Sequence, residues 1–303
     1  MPPSIALSAR TPTHWYILGF LVVLWGSSFA ASKIAVETIP PMWVVSLRVS
    51  IGAALMLSYL FFRKQRLSSN WRHWVWFIWL GLVGNILPFT LITWGVLYVP
   101  SSVAGILMAT IPLAVIVLAH FILSDEHLTT QKTFGFVIGF LGVAVLIGVG
   151  GGTSLESGPL QLLALLAITC AAFCYALYGT TARLMPDMSN VSKAASVLLT
   201  AAIISLALSI YIEPNGLAHV SSASLLAVTT LGIFPTAIAT ILLFKLLREA
   251  GASFLALSNY LVPVFAVLLG VVLLGEALQW SDWLGLALVL CGIFITERRR
   301  SKT

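Results

Sequence analysis

The chain has 303 residues, of which 59% are apolar and 9% charged, and its mean hydropathy is +1.03. Soluble domains carry about 45–50% apolar and about 25% charged residues, so a water-soluble globular fold is excluded. The apolar stretches are continuous rather than alternating, which excludes a β-barrel. The formal charge of +6 does not argue for nucleic acid, because the basic residues lie in the connections between apolar runs and at the C-terminus.

A helix needs about 20 apolar residues to cross a bilayer core. Ten such spans are expected, at 15–35, 41–62, 74–97, 101–123, 132–150, 159–182, 194–212, 222–247, 252–274 and 281–297. Span 1 has two signal-peptide features, Arg10 ahead of it and Ser28-Phe29-Ala30 inside it. Its apolar run continues to Ala35, so it counts as a helix. The fold class is an all-α polytopic membrane protein with short connections and no room for a soluble domain.

Threading ten spans places 14 of the 16 lysines and arginines on one side: Arg10, Arg63, Lys64, Arg66, Arg72, Lys132, Arg183, Lys193, Lys245, Arg248, Arg298, Arg299, Arg300 and Lys302. Lys33 and Arg48 remain on the other. The positive-inside rule then puts both termini in the cytoplasm. Trp71, Trp74, Trp76 and Trp79 at one boundary, and Trp43, Trp280 and Trp283 at the other, fit interfacial belts. Trp25 sits near mid-depth instead. Cys170, Cys174 and Cys291 lie inside apolar runs without metal-ligand spacing and read as packing residues.

Features recur at offsets of 147 to 151 residues: Pro88 with Pro235, Pro112 with Pro263, and Glu126, Gly135 and Gly142 with Glu276, Gly285 and Gly292. A period that long marks two half-proteins, 1–150 and 151–303. Five spans per half is odd, so the second copy enters the membrane from the opposite side. Secondary transporters use such inverted repeats, with the substrate near the midplane between them.

Polar groups at mid-depth are costly in hydrocarbon, so they should face protein or a cavity. Span 3 aligns Asn85, Phe89 and Thr93 on one face, and span 8 aligns Gly232, Thr236 and Thr240. Spans 4 and 9 set Met108 and Ala109 against Asn259 and Tyr260, each pair just before a proline; span 1 offers Trp25, Ser27 and Ser28, and span 6 Tyr175 and Tyr178. A cavity among spans 1, 3, 4, 6, 8 and 9 is expected. The competing role for Ser and Thr is bonding to their own helix carbonyls. Pro88, Pro112, Pro235 and Pro263 each free a carbonyl and are candidate hinges or gates. Lys33 and Arg48 either snorkel, or pair with Glu37, or attract a carboxylate. The glycines at 135, 139, 142, 285 and 292 allow close helix approach, within the chain or across a homodimer.

No Asp or Glu sits at mid-depth, so a carboxylate proton relay has no candidate, and His120 near an inner end is the remaining titratable group. There is no phosphate-binding glycine loop and no paired-histidine metal motif. No catalytic residue, cofactor or metal is implied.

Trp25-Gly26-Ser27-Ser28-Phe29, Pro100-Ser101-Ser102-Val103-Ala104, Leu261-Val262-Pro263-Val264-Phe265-Ala266 and Gly275-Glu276 with Gly285 and Gly292 resemble the drug/metabolite transporter superfamily and, within it, EamA-type bacterial permeases. The first half departs from that pattern, with Asp125-Glu126 in place of Gly-Glu. The resemblance implies ten helices in a five-plus-five inverted repeat, a bacterial inner-membrane location and export of amino acids or related metabolites, most like exporters of aromatic and neutral amino acids. Glu276 is expected to cap the start of span 10. The implied partners are a small-molecule substrate and the bilayer, with no nucleic acid, in a monomer or homodimer. The competing readings are a non-transporting membrane scaffold, which requires a packed centre, and an enzyme acting on lipid-linked substrates, which requires an acid/base pair or metal that the sequence does not offer.

Overall fold

A computed structural model describes residues 11–123, 126, 128–148 and 158–297. Arg10, Asp125 and the basic cluster at 298–302 lie outside these residues. Among the described residues all regular structure is helical. The helices are α1 (Pro12–Ala35), α2 (Pro41–Phe62), α3 (Trp71–Gly81), α4 (Leu87–Gly95), α5 (Ser101–Met108), α6 (Ile111–Ile122), α7 (Thr130–Gly148), α8 (Pro159–Thr181), α9 (Asn190–Ile212), α10 (Ser222–Leu231), α11 (Ala239–Ala250), α12 (Ala252–Leu255), α13 (Ser258–Leu274) and α14 (Trp280–Glu297). Prolines at the first turns of α1, α2 and α8 start those helices where the missing N–H costs nothing.

Among the described residues nine continuous or interrupted helices, counting α3 with α4, α5 with α6 and α10 with α11, are long and apolar enough to cross a membrane. The apolar helix α13, with 17 residues, is shorter. Large apolar side chains cover the outside: Phe61, Phe62, Leu226 and Val272 are all at least 67% exposed. In water such a surface would be an aggregation site, whereas lipid solvates it. Cys170 and Cys291 belong to this exposed surface rather than to the core, because their helices turn those faces outward.

Interruptions fall in four places. A π-helical segment, Leu82–Ile86, joins α3 to α4 just before Pro88, and a second, Gly232–Ile238, joins α10 to α11 and contains Pro235. Residues 109–110 break α5 from α6, and residues 256–257 break α12 from α13. Pro112 follows the first break and Pro263 lies inside α13.

The most extensive packing runs between residues 11–148 and residues 158–297. α7 lies along α14, α2 along α9, α1 against α13 and α10, α4 against α8, and α5 against α13. The pattern is reciprocal, since α1 on α10 and α13 is matched by α8 on α4, α5 and α6. At the α7–α14 crossing a Cβ on Gly292 would fall 2.6 Å from the Gly135 carbonyl oxygen and 2.6 Å from the Gly139 nitrogen. The close glycine approach is therefore made within the chain.

One end of the bundle is stitched by its connections. Lys33 donates to the carbonyls of Val96 and Val99, Thr38 accepts from the Ser221 N–H at 3.0 Å, and the Trp43 indole donates to the Glu213 carbonyl at 2.8 Å. Glu276 receives Ser101 N–H at 2.6 Å, Ser102 N–H at 2.9 Å and the Ser102 hydroxyl at 2.6 Å. It thus caps the start of α5, whereas Asp282 performs the local capping near α14 by accepting from Gln279 N–H at 2.8 Å. The expected cap at span 10 was misplaced because a sequence shows the nearest helix start and not the one brought close by folding. At the opposite end Glu126 pairs with Lys132 at 3.3 Å and Arg183 at 3.4 Å.

Candidate functional site

Where the two sets of helices meet there is a cavity of about 390 Å³, within the usual range of small-molecule sites. Much of its polar wall is built where the helices are irregular. Gly84 and Asn85 come from the first π-helical segment and Pro235 and Thr236 from the second, while Met108 and Ala109 lie at the α5–α6 break and Ser258 and Asn259 begin α13. Gly84 is required by the approach of the Tyr178 ring, which occupies the space a Cβ would need.

The candidates from the sequence fall into distinct environments. Trp25, Ser28, Asn85, Phe89, Met108, Tyr175, Tyr178, Thr236, Thr240 and Asn259 line the cavity, as do Arg48, Pro235 and Pro263. Thr93 does not. Its buried hydroxyl donates to the Phe89 carbonyl at 2.7 Å. Tyr260 does not either, since its hydroxyl donates to Glu297 at 2.9 Å. Pro88, Pro112 and Lys33 are also absent from the wall, and Lys33 is engaged with carbonyls at the stitched end. His120 lies off the cavity, with Nδ1 3.3 Å from the Glu126 carbonyl.

Two helices outside the expected set of spans also contribute to the lining. Arg48 brings in α2, and Ala194, Val197 and Leu198 bring in α9. Arg48 could be found as a charge inside an apolar span. The α9 residues could not, because an apolar side chain facing a cavity has no distinguishing composition.

Hydrogen bonding separates the polar wall into two groups. Ser28 donates to the Trp25 carbonyl at 2.6 Å and Thr240 to the Thr236 carbonyl at 2.6 Å. Thr236 donates at 2.8 Å to the Leu231 carbonyl, the oxygen four residues before Pro235 that the proline cannot serve. These hydroxyls are satisfied by their own helices. Among the described residues the Trp25 indole N–H, the Asn85 and Asn259 amides and the Tyr175 and Tyr178 hydroxyls have no protein partner. Arg48 Nε donates to Thr236 Oγ1 at 3.0 Å, and its guanidinium carbon lies 3.7 Å from the Phe89 ring centre. Phe89 in turn meets Tyr175 edge-on, with ring centres 6.2 Å apart. The described cavity wall contains no Asp or Glu, and no cluster of His, Cys, Asp or Glu among the described residues could hold a metal. The arrangement can bind a small molecule through aromatic faces, amides and one cation. It contains no paired acid and base for bond-breaking chemistry.

Comparison with known proteins gives a consistent result. Residues 13–148 and 162–298 each match the family described as EamA-like transporter family. The chain is 27% identical over 282 residues to the uncharacterized transporter YoaV of Bacillus subtilis, covering 92% of this chain and 95% of the relative. It is 30% identical to an uncharacterized transporter of Buchnera aphidicola, covering 82% and 83%. It is also 26% identical to an S-adenosylmethionine/S-adenosylhomocysteine transporter of Chlamydia muridarum, covering 88% and 86%. A solved crystal structure shares the fold, with a TM-score of 0.67, 24% identity, and coverage of 95% of this chain and 99% of the other.

Proposed function

The chain belongs to the EamA-like transporter family, and from that premise we propose that it exports small neutral or zwitterionic metabolites, chiefly aromatic and neutral amino acids, by alternating access. The observation that carries this reading is the central cavity with its unpartnered indole, amide and phenol groups. These groups face the cavity rather than other protein groups, so a bound solute with its own donors and acceptors can pair with them. A scaffold has no use for such a hollow.

Ten crossings are proposed, with α12 and α13 forming the ninth. The two halves are an inverted pair, supported by the reciprocal packing and by two π-helical segments at matching positions. Both termini face the cytoplasm of a bacterium, following the distribution of Lys and Arg. Outward transport follows the resemblance seen in the sequence. Pro88, Pro112, Pro235 and Pro263 are the proposed hinges, since each stands at or near an interruption that can absorb a change of helix direction.

The test is counterflow in liposomes containing the purified protein, across a panel of amino acids together with S-adenosylmethionine and S-adenosylhomocysteine, with and without a pH gradient. Exchange of neutral amino acids is expected. Asn85→Ala and Asn259→Ala should each weaken apparent affinity about fivefold, the worth of one net hydrogen bond of about 1 kcal/mol. Unchanged exchange in both folded variants removes them from the site.

A further inference from the structure

Resting on the transport reading above, we propose that Arg48 is the anchor for a substrate carboxylate, so that the protein selects organic acids and amino acids over amines and amides of the same shape. Arg48 as a whole is only 7% exposed, and it lines the cavity. A guanidinium has five N–H donors in a planar fork. Among the described residues one of the five, on Nε, meets a protein acceptor, the Thr236 hydroxyl, which is uncharged.

An ion buried without a counter-ion costs several kcal/mol even after relaxation. Stacking on the Phe89 ring offsets part of that cost. No carboxylate pairs with Arg48 among the described residues, and none lines the cavity. The unspent edge of the fork matches a carboxylate through two parallel hydrogen bonds. Phe89 and Thr236 hold the guanidinium plane from opposite halves of the chain, so the fork is oriented before a ligand arrives. A single positive group suits one negative charge. Lys33 is no rival, because it donates to two backbone carbonyls and stands off the cavity.

The experiment is competition against radiolabelled L-phenylalanine counterflow in liposomes, using 3-phenylpropionate, L-phenylalaninamide and 2-phenylethylamine. In the wild type the acid should compete, and the amide and the amine should be at least about tenfold weaker than L-phenylalanine. Arg48→Gln should lose that preference, and Arg48→Lys should restore it in part, because the charge returns without the fork. Monodisperse elution and a thermal unfolding transition identify the folded variants. The wild-type comparison stands alone if Arg48→Gln does not fold. Equal competition by acid, amide and amine in a transporting wild type overturns the anchor and leaves transport intact, as does a folded Arg48→Gln that keeps the preference. No exchange of L-phenylalanine or any other amino acid overturns the amino-acid transport reading and the anchor together.

Discussion

The stitched end around Lys33 and Glu276 and the cavity around Arg48 both hold charge at buried or half-buried positions, and they treat it in opposite ways. Lys33 donates to Val96 and Val99 just beyond the C-terminus of α4, and Glu276 accepts from Ser101 and Ser102 at the N-terminus of α5. The signs agree with the helix dipoles on either side of one short turn, positive at the carbonyl end and negative at the amide end. These charges are used up by backbone. Arg48 has one hydroxyl and one ring. A charge whose hydrogen-bonding capacity is consumed by helix ends is part of the frame, whereas one with donors to spare facing a cavity awaits a ligand.

Substituting Glu276 by Ala tests that distinction with the largest expected effect. Three donors, two of them backbone N–H groups at the start of α5, lose their acceptor. Hydrogen bonds to a charged group contribute about 1.5–3 kcal/mol, so the thermal unfolding midpoint should fall clearly. The acid-over-amide preference of the folded fraction should survive. A variant with unchanged stability and lost preference would place Glu276 with the cavity and erase the contrast.

The same carboxylate gives a smaller, graded effect with pH. Partial burial raises its pKa, but the hydrogen bonds from Ser102 and Ser101 outweigh burial, and the net shift is downward from 4.5. The folded value lies below the unfolded one, so the folded state prefers the ionised form. Its contribution is complete above about 4.5 and disappears as pH falls through the folded value. The difference in unfolding midpoint between the wild type and Glu276→Gln should therefore be constant near neutrality and narrow in acid. A gap that widens in acid would show that the donors are not what holds this group.

How much of this was legible depends on what each residue had to satisfy. Asn85, Asn259 and Arg48 could be picked out because a polar group at mid-depth must find protein, cavity or ligand. Glu276 was visible, but its partner was not, since 174 residues separate it from Ser102. Thr93 shares a helix face with Asn85 and Phe89, yet one turn beyond Phe89 in α4 it is buried against protein with its hydroxyl bonded to the Phe89 carbonyl, and it does not reach the cavity. Prolines signalled irregular backbone near 88 and 235. They did not show that the irregularity is a π-helical turn, which no residue pattern encodes.

The finest contrast is between neighbours. Asn259 and Tyr260 are adjacent in α13, and adjacent helix positions point about 100° apart. Asn259 faces the cavity with no protein partner among the described residues, while Tyr260 donates to Glu297 at the end of α14. Tyr260→Phe removes one partly exposed hydrogen bond, so its cost in stability should stay below about 1 kcal/mol. Its apparent affinity in counterflow should match the wild type, against the roughly fivefold loss expected for Asn259→Ala. If Tyr260→Phe weakened affinity as much as Asn259→Ala, the cavity would have to open around the other side of α13 during transport. The hydroxyl that now ties α13 to α14 would then be freed for the substrate in the alternate state.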